Sequence, residues 1–427
     1  MGPFHADGAP PATAPDLAVL ARSLEGAGEV REAETSDTVD GVPATAVARP
    51  TSIPAMSALL RTATAHGLVT VPRGGGTALN WGAPPERVDL ILDTTGVNRL
   101  VDHEAGDLVA VAEAGLPLHE LQERVAGTNQ ELLTDPPPER VAAGSTIGGL
   151  LATAPSGPRR LERLAVRDLV LGATLVLADG TVAASGGKVV KNVAGYDLAK
   201  LVTGSLGTLG IVARAAFRLH PVRPARAVVI RHGRLEDLTR LARETVAAQF
   251  VPAAVEIDRP AGSDDATLAV LLEGTEEAVA ARAAEAAALI GGERVEDLPS
   301  WWARMPGGDM LAKATATLTG VADLVRTARA AEQRHGAAIA VRGSAAGVLH
   351  LGITAPDGPS AAAAVETLRS AASTPRDGTV TVVAAPREFR DTLDVWGPVA
   401  GLGLMRRIKE RLDPGRNLSP GRFVGGI

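Results

Sequence analysis

The feature that most constrains this chain is a glycine triplet at the end of a short apolar strand, answered about seventy residues later by a glycine pair opening a helix. Leu68 to Val71 reads as a strand and runs directly into Pro72-Arg73-Gly74-Gly75-Gly76-Thr77. Glycine lets successive backbone N–H groups turn inward together and approach an anion closely. A plain surface loop uses glycine equally well, so the triplet alone leaves both readings open. Its spacing is wrong for the two best-known phosphate loops, one opening a helix with G-x-G-x-x-G and the other requiring a following Lys. Here the glycines lead through Thr77, Ala78 and Leu79 to another strand, Val88 to Leu92. The second segment, Gly144-Ser145-Thr146-Ile147-Gly148-Gly149, reads by itself as a well-capped helix start. Two such cradles on consecutive subdomains favour a dinucleotide, whose pyrophosphate carries two negative charges.

The surrounding pattern supplies the frame. Ser52 and Pro54 predict a helix start, with Ile53, Met56, Leu60 and Ala63 on one face and Gly67 beyond its end. Arg99 to Asp102 and Leu108 to Ala112 predict a hairpin, and Leu118, Leu121 and Val125 a helix. Leu169 to Leu177 and Thr181 to Ala184 flank Ala178-Asp179-Gly180, a strong hairpin turn, and Ile211 to Leu219 is a final strand. Beyond Pro221 and Pro224 the order β-α-β-β-α occurs once up to residue 290 and again from Met310 to Ala384, the alternation of a ferredoxin-like unit used twice. Residues 1–45 are rich in Ala, Pro, Gly and acids and read as a weakly structured lead-in.

Composition removes several functional classes. The chain has 427 residues, a length suggesting two or three domains. It has no cysteine, which excludes disulfides, thiolate catalysis and iron–sulfur clusters ligated by this chain. A net charge of -6 without a basic cluster argues against nucleic acid as a partner. No apolar run has the length of a membrane span, and Met1 to Pro15 lack the pattern of a secretory signal. A cytoplasmic protein is expected, reaching the inner face of a membrane only through partners.

A third stretch is longer and more specific: Lys191-Asn192-Val193-Ala194-Gly195-Tyr196-Asp197-Leu198, then Gly204-Ser205-Leu206-Gly207-Thr208-Leu209-Gly210-Ile211. Together with the two cradles it resembles the PCMH-type FAD-binding fold shared by vanillyl-alcohol oxidase, D-lactate dehydrogenase and glycolate oxidase. The resemblance covers residues 48–222 and the tail from Arg406 to Val424. It implies an α+β chain: an FAD-binding domain over 46–222 in two subdomains (46–102 and 103–222), a ferredoxin-like cap over 225–385, and a segment over 386–427 returning to the FAD domain. It places Arg73, Gly74, Gly75, Gly76, Thr77 and Ala78 at the FAD pyrophosphate. Gly144, Thr146, Ile147, Gly148 and Gly149 would run along the pyrophosphate and ribityl chain, and Ile211 would lie beside the cofactor. Asn192, Tyr196 and Asp197 would hold a loop in shape. Relatives tether flavin through a His of the first loop or a Cys of the second, and neither is present here, so FAD would be held without a covalent bond.

Within that family GSLGTLG, with Leu206 where many catalytic relatives carry an acid, and the ending LDPGRNLSPGRF look like the smaller flavin-binding subunit of glycolate oxidase. The resemblance implies oxidation of a 2-hydroxy acid, glycolate to glyoxylate, beside a larger FAD-binding subunit and an iron–sulfur subunit. The HxGDGNxH and ExHG motifs of relatives that oxidise 2-hydroxy acids are absent, and no metal site is expected. The catalytic candidates that remain are Arg304 and Lys313, for a substrate carboxylate, and His350 between two leucines; Trp301-Trp302 could cover a flavin face. Solvated or structural roles are the commoner reading for Arg304, Lys313 and His350, and exposed or core aromatics explain the tryptophan pair equally well. Two alternatives stay open: a self-sufficient FAD-dependent 2-hydroxy-acid dehydrogenase, and a non-catalytic assembly subunit.

Overall fold

The computed structural model describes residues 16–188, 196–373 and 377–427. Its first layer is a sheet ordered Gly28–Glu32, Val42–Pro50, Val88–Asp93, Thr70–Arg73, the last three parallel. The helix Ile53–Ala65 crosses between the parallel strands. Ser52 accepts from the Ala55 N–H at its start, Pro54 occupies the first turn, and Met56, Leu59, Leu60 and Ala63 face the sheet. Residues 16–45 are not a loose lead-in. The helix Leu17–Ser23 packs on the core through Leu20 and Leu24, and Gly28–Glu32 pairs with Arg49 and its neighbours. The sequence hid this because an edge strand with one face in water carries Glu29, Arg31 and Glu32 and shows no apolar alternation.

The second layer is an antiparallel sheet ordered Val182–Gly186, Val170–Val176, Ile211–Arg218, Val109–Glu113, Leu100–Glu104. Leu100 pairs with Ala112, so the boundary expected between residues 102 and 103 moves ahead of Leu100, because a hairpin cannot be divided between sheets. The Asp179-Gly180 turn forms as its composition requires, with Gly180 at φ +82° and the Asp179 carboxylate accepting from the Thr181 N–H.

From Ala225 two β-α-β-β-α-β units follow, each with one strand more than the sequence pattern showed. Ala225–Arg234, Ala254–Arg259, Asp265–Gly274 and Glu293–Val295 form the first; Met310–Thr315, Ala338–Ser344, Val348–Thr354 and Thr379–Ala384 form the second. They join edge to edge where Ala254–Arg259 pairs with Ala338–Ser344, giving one eight-stranded sheet. Helices Leu235–Ala247, Glu276–Ile290, Gly320–His335 and Gly358–Ser373 close its apolar face. Leu393 and Val395 lie in this core too, and the Val382 N–H donates to the Val395 carbonyl, so the segment expected to leave the cap at 386 belongs to it for about ten residues more.

The tail then returns to the first two layers. Leu402–Leu412 lays Leu402, Met405 and Ile408 against the second sheet's core, and Leu418 bridges to Thr70 in the first. Among the described residues no helix is long and apolar enough to cross a membrane.

Candidate cofactor site

The two glycine segments face each other across a cleft of about 980 Å³, open to solvent, between the first and second sheets. Arg73, Gly74, Gly75, Gly76, Thr77 and Ala78 line it from one side, Thr146, Gly148 and Gly149 from the other, with Ile211 at the base. Gly144 and Ile147 do not reach it. Ile147 is fully buried in the second core, and Gly144 turns its carbonyl to the first loop.

Packing explains two of the glycines. A Cβ on Gly74 would stand 2.1 Å from Thr146 Oγ1, and one on Gly75 would stand 1.9 Å from the Gly144 carbonyl oxygen. These residues let the two loops touch, and Thr77 Oγ1 then shares a 2.8 Å hydrogen bond with Ser145 Oγ. Gly76, at φ +70°, is the one whose conformation needs glycine and whose Cβ position is open. The turn Gly204 to Gly210 abuts the same strand end, where a Cβ on Gly207 would meet Pro72 Cγ at 2.5 Å.

The two loops differ in what they offer a ligand. Among the described residues no acceptor of the chain meets the backbone N–H of Gly74, Gly75, Gly76, Thr77 or Ala78. In the second loop most N–H groups, all but that of Thr146, are already used: Ser145 donates to the Arg140 carbonyl (3.0 Å), Ile147 to Leu116 (3.0 Å) and Gly148 to Ala114 (2.7 Å). Gly149 donates to its own helix cap, Thr146 Oγ1, at 3.3 Å. Five consecutive free donors at a strand end form an anion nest, whereas the second loop shapes the wall by leaving glycine backbone bare. The first loop therefore fits a dinucleotide pyrophosphate, and the cleft has room beyond it.

Three arginines line the cleft. Arg73, placed at the pyrophosphate by sequence, has its guanidinium committed to Asp37 at 2.7 Å and lies 3.6 Å from Asp93, leaving its backbone to face the ligand. The Arg31 and Arg73 guanidiniums hold the Asp37 carboxyl far below the usual carboxylate range. Arg140 and Arg422 were not anticipated. Arg140 donates from Nε and Nη2 to the Thr77 carbonyl (3.1 and 2.8 Å) and lies 3.9 Å over the Trp81 ring. Arg422 donates to the Leu79 and Trp81 carbonyls at 2.9 and 2.7 Å. Their sequence neighbourhoods carry no phosphate-binding pattern, and only the tail's return brings Arg422 to the loop.

The Lys191 to Gly195 stretch, including Asn192, lies outside the described residues. Tyr196 is 90% exposed, and the Asp197 carboxylate caps the helix Leu198–Val202 by accepting from the Lys200 N–H.

The other candidates lie on the cap face turned toward the first two layers. Register aligns Asp258, Arg342, His350, Lys313 and Thr381 in one row across five adjacent strands. Arg342 pairs with Asp258 at 2.7 Å. Burial, followed by the Lys313 and Arg160 charges, pulls His350 down to about 3, so it is neutral near pH 7. Lys313 is lowered by burial and then by Arg160, and among the described residues it has no carboxylate partner. Glu256 lies two residues before Asp258, is 4% exposed with Oε1 unpartnered, and burial pushes its carboxyl well above the usual carboxylate range. It shares a small chamber with Ser156, Arg342 and His350, and Ser156 follows Pro155, which lines the cleft. Arg304 lines the same chamber, half-exposed, with its guanidinium 3.3 Å from Glu139 across the domain boundary and its carbonyl accepting from Arg342 at 3.5 Å. Trp302 is buried in the cap, and neither tryptophan of the pair lines the cleft.

The fold is the PCMH-type FAD-binding fold, and the site fits FAD as its cofactor. Residues 44–186 match the FAD-binding domain family, and the chain carries a domain of that family. D-lactate dehydrogenase of Archaeoglobus fulgidus is 34% identical over 211 residues, 49% of this chain and 46% of that protein. Glycolate oxidase subunit GlcE of Escherichia coli is 34% identical over 204 residues, 48% and 55% respectively. An FAD-linked oxidoreductase of Mycobacterium tuberculosis is 26% identical over 420 residues, 88% and 90%. The chain spans about half the length of the relatives it matches above 30% identity. Among solved structures, an alkyldihydroxyacetonephosphate synthase shares the fold with a TM-score of 0.63 at 16% identity, covering 89% of this chain and 76% of that one.

Proposed function

We propose that this chain is the FAD-binding subunit of a glycolate oxidase-type complex that oxidises a small 2-hydroxy acid, glycolate to glyoxylate. A larger FAD-binding subunit and an iron–sulfur subunit would take the electrons onward. The observation that carries this reading is the polar row of the cap sheet, in which Lys313 presents a half-buried ammonium with no carboxylate partner among the described residues. An acid's carboxylate would supply the missing charge. Hydride acceptance is the chemistry the bound cofactor supplies. The row also explains why partners are invoked. A general base works best with a pKa near the working pH, and His350 at about 3 lies far below it. In this reading the first-loop residues Gly74 to Ala78 hold the pyrophosphate, and Thr146, Gly148, Gly149 and Ile211 border the rest of the cofactor without a covalent bond.

The test is the visible spectrum of the purified full chain before and after anaerobic glycolate or D-lactate. Flavin bands that stay unchanged alone and bleach once the partner subunits are added support the subunit reading. Bleaching by the chain alone supports the self-sufficient dehydrogenase. Absence of flavin bands even after FAD is added refutes both and leaves an assembly role.

A further inference from the structure

Buried cations need a counter-charge, and the three arginines at the cleft differ in whether the protein provides one. Arg73 has two carboxylates within 3.6 Å. Arg140 has none within salt-bridge distance among the described residues: its neighbour Glu139 pairs with Arg304 across the domain boundary. Arg422, 3% exposed, is in the same position, because Asp40 on its side is committed to Arg390 at 2.7 Å. Burial pulls both guanidiniums down to about 10, an effect that the nearby Glu139 and Asp40 charges offset only in part.

Both are anchored instead to backbone carbonyls of one segment. Arg140 takes the Thr77 carbonyl, and Arg422 takes those of Leu79 and Trp81. The Trp81 ring supports Arg140 at 3.9 Å. The segment that follows the free N–H groups of 74–78 is therefore pinned by two positive charges that have no salt-bridge partner among the described residues and also line the cleft.

We propose that Arg140 and Arg422 are the counter-ions of the FAD diphosphate, Arg140 as the contacting residue and Arg422 adding its charge from beneath the loop. This assignment rests on FAD being the cofactor. Two cations match the two negative charges of the diphosphate, so the nest supplies directional donors and the arginines supply the charge. Arg140 keeps Nη1 free of any partner among the described residues, and that is the donor the diphosphate would use.

The experiment titrates the full-length chain, stripped of flavin, with FAD, ADP and riboflavin. Riboflavin lacks the diphosphate, and ADP carries it without the flavin. Arg140→Gln is expected to weaken FAD and ADP alike, on the order of 10- to 100-fold, as befits loss of a charged hydrogen bond, and to leave riboflavin unchanged. Arg140→Lys, which keeps the charge but loses the planar fork, should fall between. Salt should weaken FAD binding to the wild-type chain, a readout that survives if a variant folds poorly, and should do so less steeply in R140Q. Equal FAD affinity of R140Q and wild type overturns the assignment, as does a parallel loss of riboflavin, which would place the guanidinium at the flavin ring or in the fold. A wild-type chain that takes up no FAD would instead refute the cofactor on which the assignment rests.

Discussion

Lys409 is the cleanest place to test how the tail supports the flavin cleft. Lys409 is 4% exposed, and its ammonium donates to the Thr208 carbonyl, the Asp413 carboxylate and the Leu418 carbonyl at 2.7, 2.7 and 2.8 Å. All three of its donors are thus used, one on the Gly204 to Gly210 turn and two on the tail. Asp413 is fully buried and also accepts from the Asn417 and Leu418 N–H groups at 2.9 and 2.8 Å. Lys409→Met keeps the length of the side chain and leaves the Asp413 charge buried without its cation. Removing one partner of such a pair costs about 3–5 kcal/mol. For a domain of about 200 residues that corresponds to a fall in Tm of roughly 6–20 °C. The assay is thermal release of FAD, followed by the rise in flavin fluorescence, beside far-UV circular dichroism of the whole chain. K409M should lower the flavin-release transition and leave any separate cap transition where it was. Asp413→Ala should cost at least as much, because it orphans two backbone N–H groups as well as the ammonium. A K409M transition within about 2 °C of wild type, corresponding to a loss of roughly 1 kcal/mol or less, would refute the reasoning.

Three further outcomes follow from the geometry. Gly75→Ala should abolish FAD retention, since its Cβ would sit 1.9 Å from a backbone oxygen, whereas Gly76→Ala meets nothing nearer than 3.9 Å and pays only for φ +70°; flavin-to-protein absorbance ratios after gel filtration compare the two. Asp37 has a folded-state pKa far below its unfolded value, through hydrogen bonds from Arg31 and Arg73. Its stabilisation is therefore complete above about pH 4 and is lost as pH falls below that, and Asp37→Asn should flatten the acid limb of urea-unfolding midpoints. His350, depressed to about 3, should show no imidazole titration by NMR between pH 5 and 8. The neutral ring disfavours protonation in the fold, so stability falls as pH drops from about 6.5 toward 3, and His350→Asn should remove that contribution.

The sequence by itself determined the elements whose cause is local. Ser52 with Pro54 starts a helix, Asp179-Gly180 turns a hairpin, and glycines at a strand end leave N–H groups unpaired, because each depends on residues within one turn of the chain. The twofold β-α-β-β-α alternation was legible for the same reason, since periodicity records which face of each strand and helix is covered. Tertiary structure decided what depends on distant partners. Glu29, Arg31 and Glu32 form a strand only because Val42–Pro50 offers them a ladder. Gly74 and Gly75 are required by a loop seventy residues away, and Ile147 turns into a core rather than the cleft. Asp258, Arg342, His350 and Lys313 become one row only through register across four strands. Arg422 reaches the first loop because a buried lysine and aspartate fold the tail back over it. Charge, unlike periodicity, acts through space, and its partners are set by where the chain ends up rather than by their order along it.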